Sequence, residues 1–144
     1  MKRKLKKSKE GKKKIIGLLL VIVFVAAIVY FFLPTKNIPF YVGREKRMIY
    51  EWASTQEGAT LLEKLPCYCG CKFEGHKHTR HCFWKDDGTF DRHGITCSVC
   101  LDIAKKGKEM HEQGMDICTI RKEIDRFYEP NKELGTETPM PPGC

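Results

Sequence analysis

Eight cysteines occur, at positions 67, 69, 71, 82, 97, 100, 118 and 144, and the first six fall within 34 residues together with His76, His78, His81 and His93. Thiolate and imidazole are the side chains that soft and borderline metal ions select. Thiols outside a reducing compartment also form disulfides. The run Cys67-Tyr68-Cys69-Gly70-Cys71 sets three sulfurs at alternate positions, which share a face when the backbone is extended. Neighbours so close bridge one another only with strain, yet they converge readily on one ion. Cys97-Ser98-Val99-Cys100 sets two more sulfurs three apart, neighbours on a helix surface, at a predicted helix start that stabilises thiolate.

The candidate ligands are therefore Cys67, Cys69, Cys71, Cys82, Cys97 and Cys100, with His76 and His93 from the glycine-flanked loops between the clusters. His78 and His81 sit in the polar run KHTRH and are expected to face solvent. His111 lies 14 residues from Cys97, about 21 Å along a helix, too far to share a mononuclear site with it. Cu(I) is the favoured ion, since three thiols at two-residue spacing suit its low coordination number. Zinc in a closed four-ligand site comes second. Two other uses of the sulfurs stay open. Cys67, Cys69 and Cys71 could each pair with one of Cys82, Cys97 and Cys100 in a stapled domain, or Cys97 and Cys100 could exchange disulfides, although the expected βαβ context is missing. Leu101 stands where a c-type haem motif needs histidine. No hydrolytic or transferase constellation is present, and no catalytic residue is expected. Asp86, Asp87 and Asp91 around Gly88 lack the glutamate of a calcium loop and read as a solvated turn.

These residues need elements to position them. Met48, Ile49 and Trp52, then Ala59, Leu61, Leu62 and Leu65, repeat at helical spacing, with Gly58 a potential break and Pro66 a stop. Residues 66–95 show neither helical nor strand period. Thr96 is suited to cap a helix over 97–113 that ends at Gly114, and Asp116 to cap a second to about Tyr128. Ile117, Ile120, Ile124 and Phe127 form its apolar stripe. Residues 34–43 read as a linker and 129–144, with four prolines, as a disordered tail. The folded part, 44–128, is thin in apolar residues and needs a metal or disulfides to hold it.

Residues 15–33 are 19 uncharged positions, about 28 Å of helix, enough for a bilayer core. Nine Lys/Arg and one Glu in residues 1–14 account for the whole net charge of +8. The remainder is neutral, so the basic excess is not a nucleic-acid signal. It is the flank that keeps an N-terminus cytoplasmic and places the rest outside. Val25-Ala26-Ala27 offers a signal-peptide cleavage site, and the six apolar residues beyond it favour a retained anchor.

The string Pro66-Cys67-Tyr68-Cys69-Gly70-Cys71, followed by Gly75-His76, Cys82-Phe83, His93-Gly94 and Cys97-x-x-Cys100-Leu101-Asp102-Ile103-Ala104, resembles the PCYCGC-motif proteins over roughly residues 50–128. These are small extracytoplasmic bacterial proteins, often lipid-anchored. The resemblance implies an outward location and a role for the shared cysteines, and it implies no reaction. Cys118 and Cys144 lie outside the matching pattern.

The sequence thus predicts a mostly α protein: a basic cytoplasmic tail (1–14), a transmembrane helix (15–33), a linker (34–43), a small Cys/His-rich helical domain with an irregular central loop region (44–128) and a free tail (129–144). The expected function is membrane-anchored, extracytoplasmic metal binding for sequestration, sensing or transfer. The expected partners are the membrane, the ion and a protein that donates or accepts it. No catalysis and no nucleic acid are expected.

Overall fold

The computed structural model describes residues 16–26 and 37–144, and the chain divides into two compact units, Met1–Thr35 and Lys36–Cys144. In the first unit, residues 16–26 are helical with exposed side chains. The expected basic tail, and the remainder of the expected span at 15 and 27–33, lie outside the described residues. Among the described residues no helix is long and apolar enough to cross a membrane.

The second unit is mostly helical. Helix α1 is Arg44–Ser54 and α2 is Gln56–Leu62. A four-residue helix α3, His93–Thr96, leads into α4, Ser98–Glu112, and α5 is Ile117–Phe127. Three 3-10 helices, Cys71–Glu74, Thr79–Cys82 and Glu129–Leu134, supply the remaining order. The middle, expected as loop or short hairpins, contains the first two of these 3-10 helices, and its strand pairing among the described residues is a single antiparallel bridge, Trp84 with Phe90.

The break after α1 falls at Thr55 rather than Gly58. The Thr55 hydroxyl accepts the Gly58 amide at 3.0 Å and so begins α2, the usual N-cap bond. The core face of α1 is Ile49, Tyr50 and Ala53, whereas Met48 is exposed. Tyr50 sets that rotation. Its ring lies against Phe83, Phe90 and Trp84 at centroid separations of 5.0, 4.9 and 6.2 Å. Its hydroxyl donates to the Asp91 carbonyl at 2.7 Å, and its own carbonyl accepts the Trp84 indole N–H at 2.8 Å.

Helix α4 begins one residue later than expected, with Cys97 rather than Thr96 as its cap, because Thr96 already ends α3. It buries Cys100, Ile103, Ala104 and Gly107 at helical spacing and stops before Gly114, whose φ is +81°. Asp116 caps α5 as expected, accepting the Cys118 and Thr119 amides at 2.9 and 3.1 Å. The α5 stripe is shorter than expected. Ile120 and Ile124 are buried but Phe127 is exposed, with the Lys106 ammonium 4.6 Å over its ring.

Residues 129–144 are not a free tail, and Val42 in the expected linker is buried in the core. Leu134 and Thr136 run beside the cysteine loop. The Thr136 hydroxyl accepts the Cys67 amide at 2.9 Å, the Thr136 amide donates to the Cys67 carbonyl at 3.0 Å, and the Gly70 amide donates to the Leu134 carbonyl at 3.2 Å. Arg121, almost wholly buried, holds the returning chain by donating to the carbonyls of Thr138, Pro139 and Lys64, each at 3.0 Å. A disulfide between Cys118 on α5 and Cys144 fixes the end. The polar composition suggested disorder, but buried hydrogen bonds and one covalent bond offset the entropy of ordering.

The disulfide closes a loop with a sequence separation of 26, a constraint on the unfolded chain worth about 3 kcal/mol. Replacing both cysteines (Cys118→Ser with Cys144→Ser) is expected to lower unfolding stability by about that amount in urea titration. Unchanged stability would show that the tail is held without it.

Candidate metal centre

Helix α2 ends at Leu62, four residues before the expected stop at Pro66, and the chain then passes through Cys67, Tyr68 and Cys69 in non-helical form. Tyr68 locks this stretch from outside. Its ring stacks on Tyr128 at 5.4 Å and 9°, and its hydroxyl donates to Asp125 at 2.7 Å. Gly70, at φ +84°, takes a left-handed turn that side-chain-bearing residues avoid. This turn sends Cys71 back into the protein at the head of a 3-10 helix. Thr79 then anchors the next 3-10 helix, donating from its hydroxyl to Pro66 O and from its amide to Leu65 O, both at 2.9 Å. Cys82, at the end of that helix, is fully buried. The amide of His93, on α3, donates to Asp91 Oδ1 at 2.8 Å. Gly94 lies so close to Phe83 that a Cβ would meet its ring at 2.6 Å.

The sulfurs so placed meet around Cys100. Cys100 Sγ is 2.9 Å from Cys67 Sγ and 3.4 Å from Cys69 Sγ. Cys67 lies 3.4 Å from Cys69 and 3.7 Å from Cys82, and Cys82 lies 3.9 Å from Cys71. Two four-donor groups result, each with its ligand atoms within 4.8 Å of one another. One is Cys67, Cys71, Cys82 and Cys100, all buried. The other is Cys69, His93, Cys97 and Cys100, partly open to solvent. All six of these cysteines carry free thiols, and the disulfide lies outside the set.

The sequence-predicted residues thus come together. The six cysteines and His93 enter the two groups, and His76 borders them, its Nδ1 3.5 Å from Cys82 Sγ. The ring nitrogens facing away from sulfur are also engaged. His93 Nε2 is 3.5 Å from Cys69 Sγ while its Nδ1 faces Glu74 at 3.2 Å, and His76 Nε2 is 3.8 Å from Asp91. A carboxylate behind a ligating imidazole orients it and raises its basicity. Asp91 is therefore no part of a solvated turn. It is largely shielded, whereas Asp86 and Asp87 are exposed as expected. His81, expected to face solvent, is buried and bonded to Asp86 at 2.6 Å, and His78 is half-buried. His111 lies apart, bonded to Glu57.

Sequence reasoning missed that one cysteine, Cys100, belongs to both groups. It also missed Glu74 and Thr136. Nothing in the spacing marks Cys100 over Cys97. The helical register does, because Cys100 shares the buried face of Ile103, Ala104 and Gly107.

Crowding divides the thiols into two kinds. Hydrogen bonds from Cys100 and then Cys67 hold Cys69 down at about 5 and depress Cys71 as well. Cys100 is pushed up by its contacts with Cys67, Cys69 and the others. His93 is raised. Burial opposes its charge, but the bond to Cys69 and the charges of Cys69 and Glu74 outweigh it. The donor set fits a soft or borderline cation: free thiols, mostly buried, with thiolate already favoured at two of them and imidazole at the open edge.

Thiolate is the nucleophile in alkylation. In the reduced, metal-free protein, the rate of Cys69 alkylation by iodoacetamide is expected to reach half its maximum near pH 5, against about 8.5 for an ordinary cysteine. Peptide mapping by mass spectrometry reads this directly. Reaction of Cys69 only above pH 8 would contradict the assigned hydrogen bonding.

No curated protein and no solved structure matches the chain significantly. Residues 34–141 match the family described as a protein of unknown function with PCYCGC motif. That stretch takes in all six clustered cysteines and most of the returning tail, and it extends the resemblance beyond the motif itself. The chain belongs to the PCYCGC-motif family.

Proposed function

We propose that this protein is a non-enzymatic, membrane-anchored metal-binding protein that sequesters, senses or hands over an ion on the outer side of the membrane, with Cu(I) the favoured ion. One observation carries the reading. Two four-donor groups of free cysteine and histidine, one of them fully buried, share Cys100. A thiolate common to two groups is suited to bridge two ions. Soft sulfur in excess of four donors favours Cu(I) over harder cations. Zinc remains the second choice, since tetrahedral zinc with sulfurs at about 2.3 Å holds them about 3.8 Å apart, near the 3.7 and 3.9 Å separations at Cys82. The chain's own residues supply the rest. Glu74 orients His93, Asp91 orients His76, and the aromatic cluster around Tyr50 excludes water. The open edge at Cys69, His93 and Cys97 is the side from which a donor or acceptor protein would exchange the ion.

The uncharged run at 15–33 and the basic residues before it support an anchor with the domain outside. The half-exposed thiols are compatible with that compartment when an ion protects them.

A second reading rests on the 2.9 Å contact between Cys67 and Cys100. Slight movement would let these two oxidise to a disulfide, giving a redox-active or stapled domain. That short contact of Cys100 is with Cys67 and not with Cys97, which disfavours a Cys97/Cys100 exchange pair.

Elemental analysis and thiol counting on the purified full chain separate these readings. Bound copper or zinc, with six thiols titrating under denaturation without reductant, is expected. A Cys100→Ser variant should lose the metal of both groups, whereas His93→Asn should lose only that of the outer group. Four free thiols and no metal would favour the Cys67–Cys100 disulfide and end the metal-binding reading.

A further inference from the structure

We propose that His78, His81 and Asp86 form a second metal site, built from imidazole and carboxylate, that takes a borderline divalent cation such as Zn(II). It uses none of the cysteines. One donor atom from each of the three residues lies within 4.8 Å of the others. Local geometry explains the convergence. His78 caps, and His81 lies within, the 3-10 helix Thr79–Cys82, where side chains three apart eclipse. The two rings accordingly stand 4.2 Å apart. Asp86 arrives from the following turn, its Oδ1 2.6 Å from His81 Nε2.

Two features mark this as more than a histidine–aspartate pair. His78 Nδ1 is shielded from solvent and has no hydrogen-bond partner among the described residues. Such a buried polar atom is costly, and a cation within reach would satisfy it. The site also borders a cleft where His78 stands with the carboxylates of Glu63, Asp86 and Glu137 and the ammonium groups of Lys72 and Lys77, so carboxylate oxygens lie along the approach. Asp86 Oδ2 is paired with the exposed Lys77 ammonium at 2.9 Å, which can swing away into water. A cation at His81 Nε2 takes the place of the proton facing Asp86. That proton leaves to solvent or moves to Nδ1, giving up the long 3.4 Å contact from the Lys77 amide. These exchanges make the site weaker than the sulfur centre. Two imidazoles and one carboxylate leave positions open on the ion, as an exchangeable site requires.

Co(II) is the probe that separates the two chemistries, because thiolate bound to Co(II) gives an intense near-ultraviolet charge-transfer band and imidazole or carboxylate does not. Full-length protein titrated with Co(II) is expected to take one further equivalent after that band has saturated. Asp86→Asn, at an exposed position that leaves the fold intact, and His78→Gln should each weaken this last equivalent by at least about tenfold while leaving the sulfur band unchanged. Cys100→Ser should keep the last equivalent even if it abolishes the band, so failure of the sulfur reading leaves this one testable. The proposal is overturned if Asp86→Asn and His78→Gln bind as much Co(II) as the parent, or if every bound equivalent adds to the sulfur band.

Discussion

Five cysteine sulfurs lie in one chain of contacts of 2.9 to 3.9 Å centred on Cys67 and Cys100, four of them inside the apolar core. At such separations and in a low dielectric, two thiolates repel by several kcal/mol or more, and each also loses hydration on burial. The thiols therefore share protons. Cys69 and Cys71 are held low by the bonds they accept, while Cys67, Cys82 and Cys100 are pushed up. Only a cation lets the remaining thiols ionise together. The pocket is thus an incomplete electrostatic arrangement, and the fold around it has to hold the donors in place.

That scaffold comes from three sides. The Tyr50, Phe83, Trp84 and Phe90 rings pack behind Cys82, and Asp91 ties them to the loop that leads to His93. Helix α4 brings Cys100 on the same face that buries Ile103 and Ala104. The third side is the returning tail. Thr138 donates to the Lys77 carbonyl, so its oxygen accepts from the Thr136 hydroxyl, which in turn accepts the Cys67 amide. One directed chain of hydrogen bonds thus runs from the first cysteine, through two buried threonines, to the loop before His78. Buried polar networks of this kind rigidify a site when every member is satisfied.

The elements legible in the sequence were those set by local rules. The α5 cap at Asp116, the glycine stop at 114 and the irregular middle follow from side-chain hydrogen bonding, φ preference and the absence of a period. The convergence of the CYCGC turn with Cys97 and Cys100 was legible because donor chemistry leaves few uses for so many sulfurs at such spacings. The tail was not. Residues 129–144 are polar and proline-rich, and their order comes from partners far away in sequence, Arg121, Cys67 and Cys118, which no local window contains. The burial of His81 was hidden for a similar reason. Its neighbours Lys77, His78 and Arg80 are polar, but a 3-10 helix anchored by Thr79 turns His81 inward, and periodicity does not report so short an element. Likewise the rotation of α1 depends on Tyr50 finding three aromatic partners, none of them within its own helix.

The same 3-10 helix explains how His81 and Cys82, adjacent in the chain, enter different donor groups. With three residues per turn, His81 and Cys82 project about 120° apart. Cys82 faces the sulfurs, and His81 faces His78 and Asp86. His76 stands between, its ring 6.2 Å from that of His81 and its Nδ1 3.5 Å from Cys82 Sγ. Sulfur on the inner side is the donor that a soft ion selects. Nitrogen and oxygen on the outer side are donors suited to a borderline ion. The change from nitrogen to sulfur donors between His81 and Cys82 is a direct physical consequence of setting the two side by side on so tight a turn.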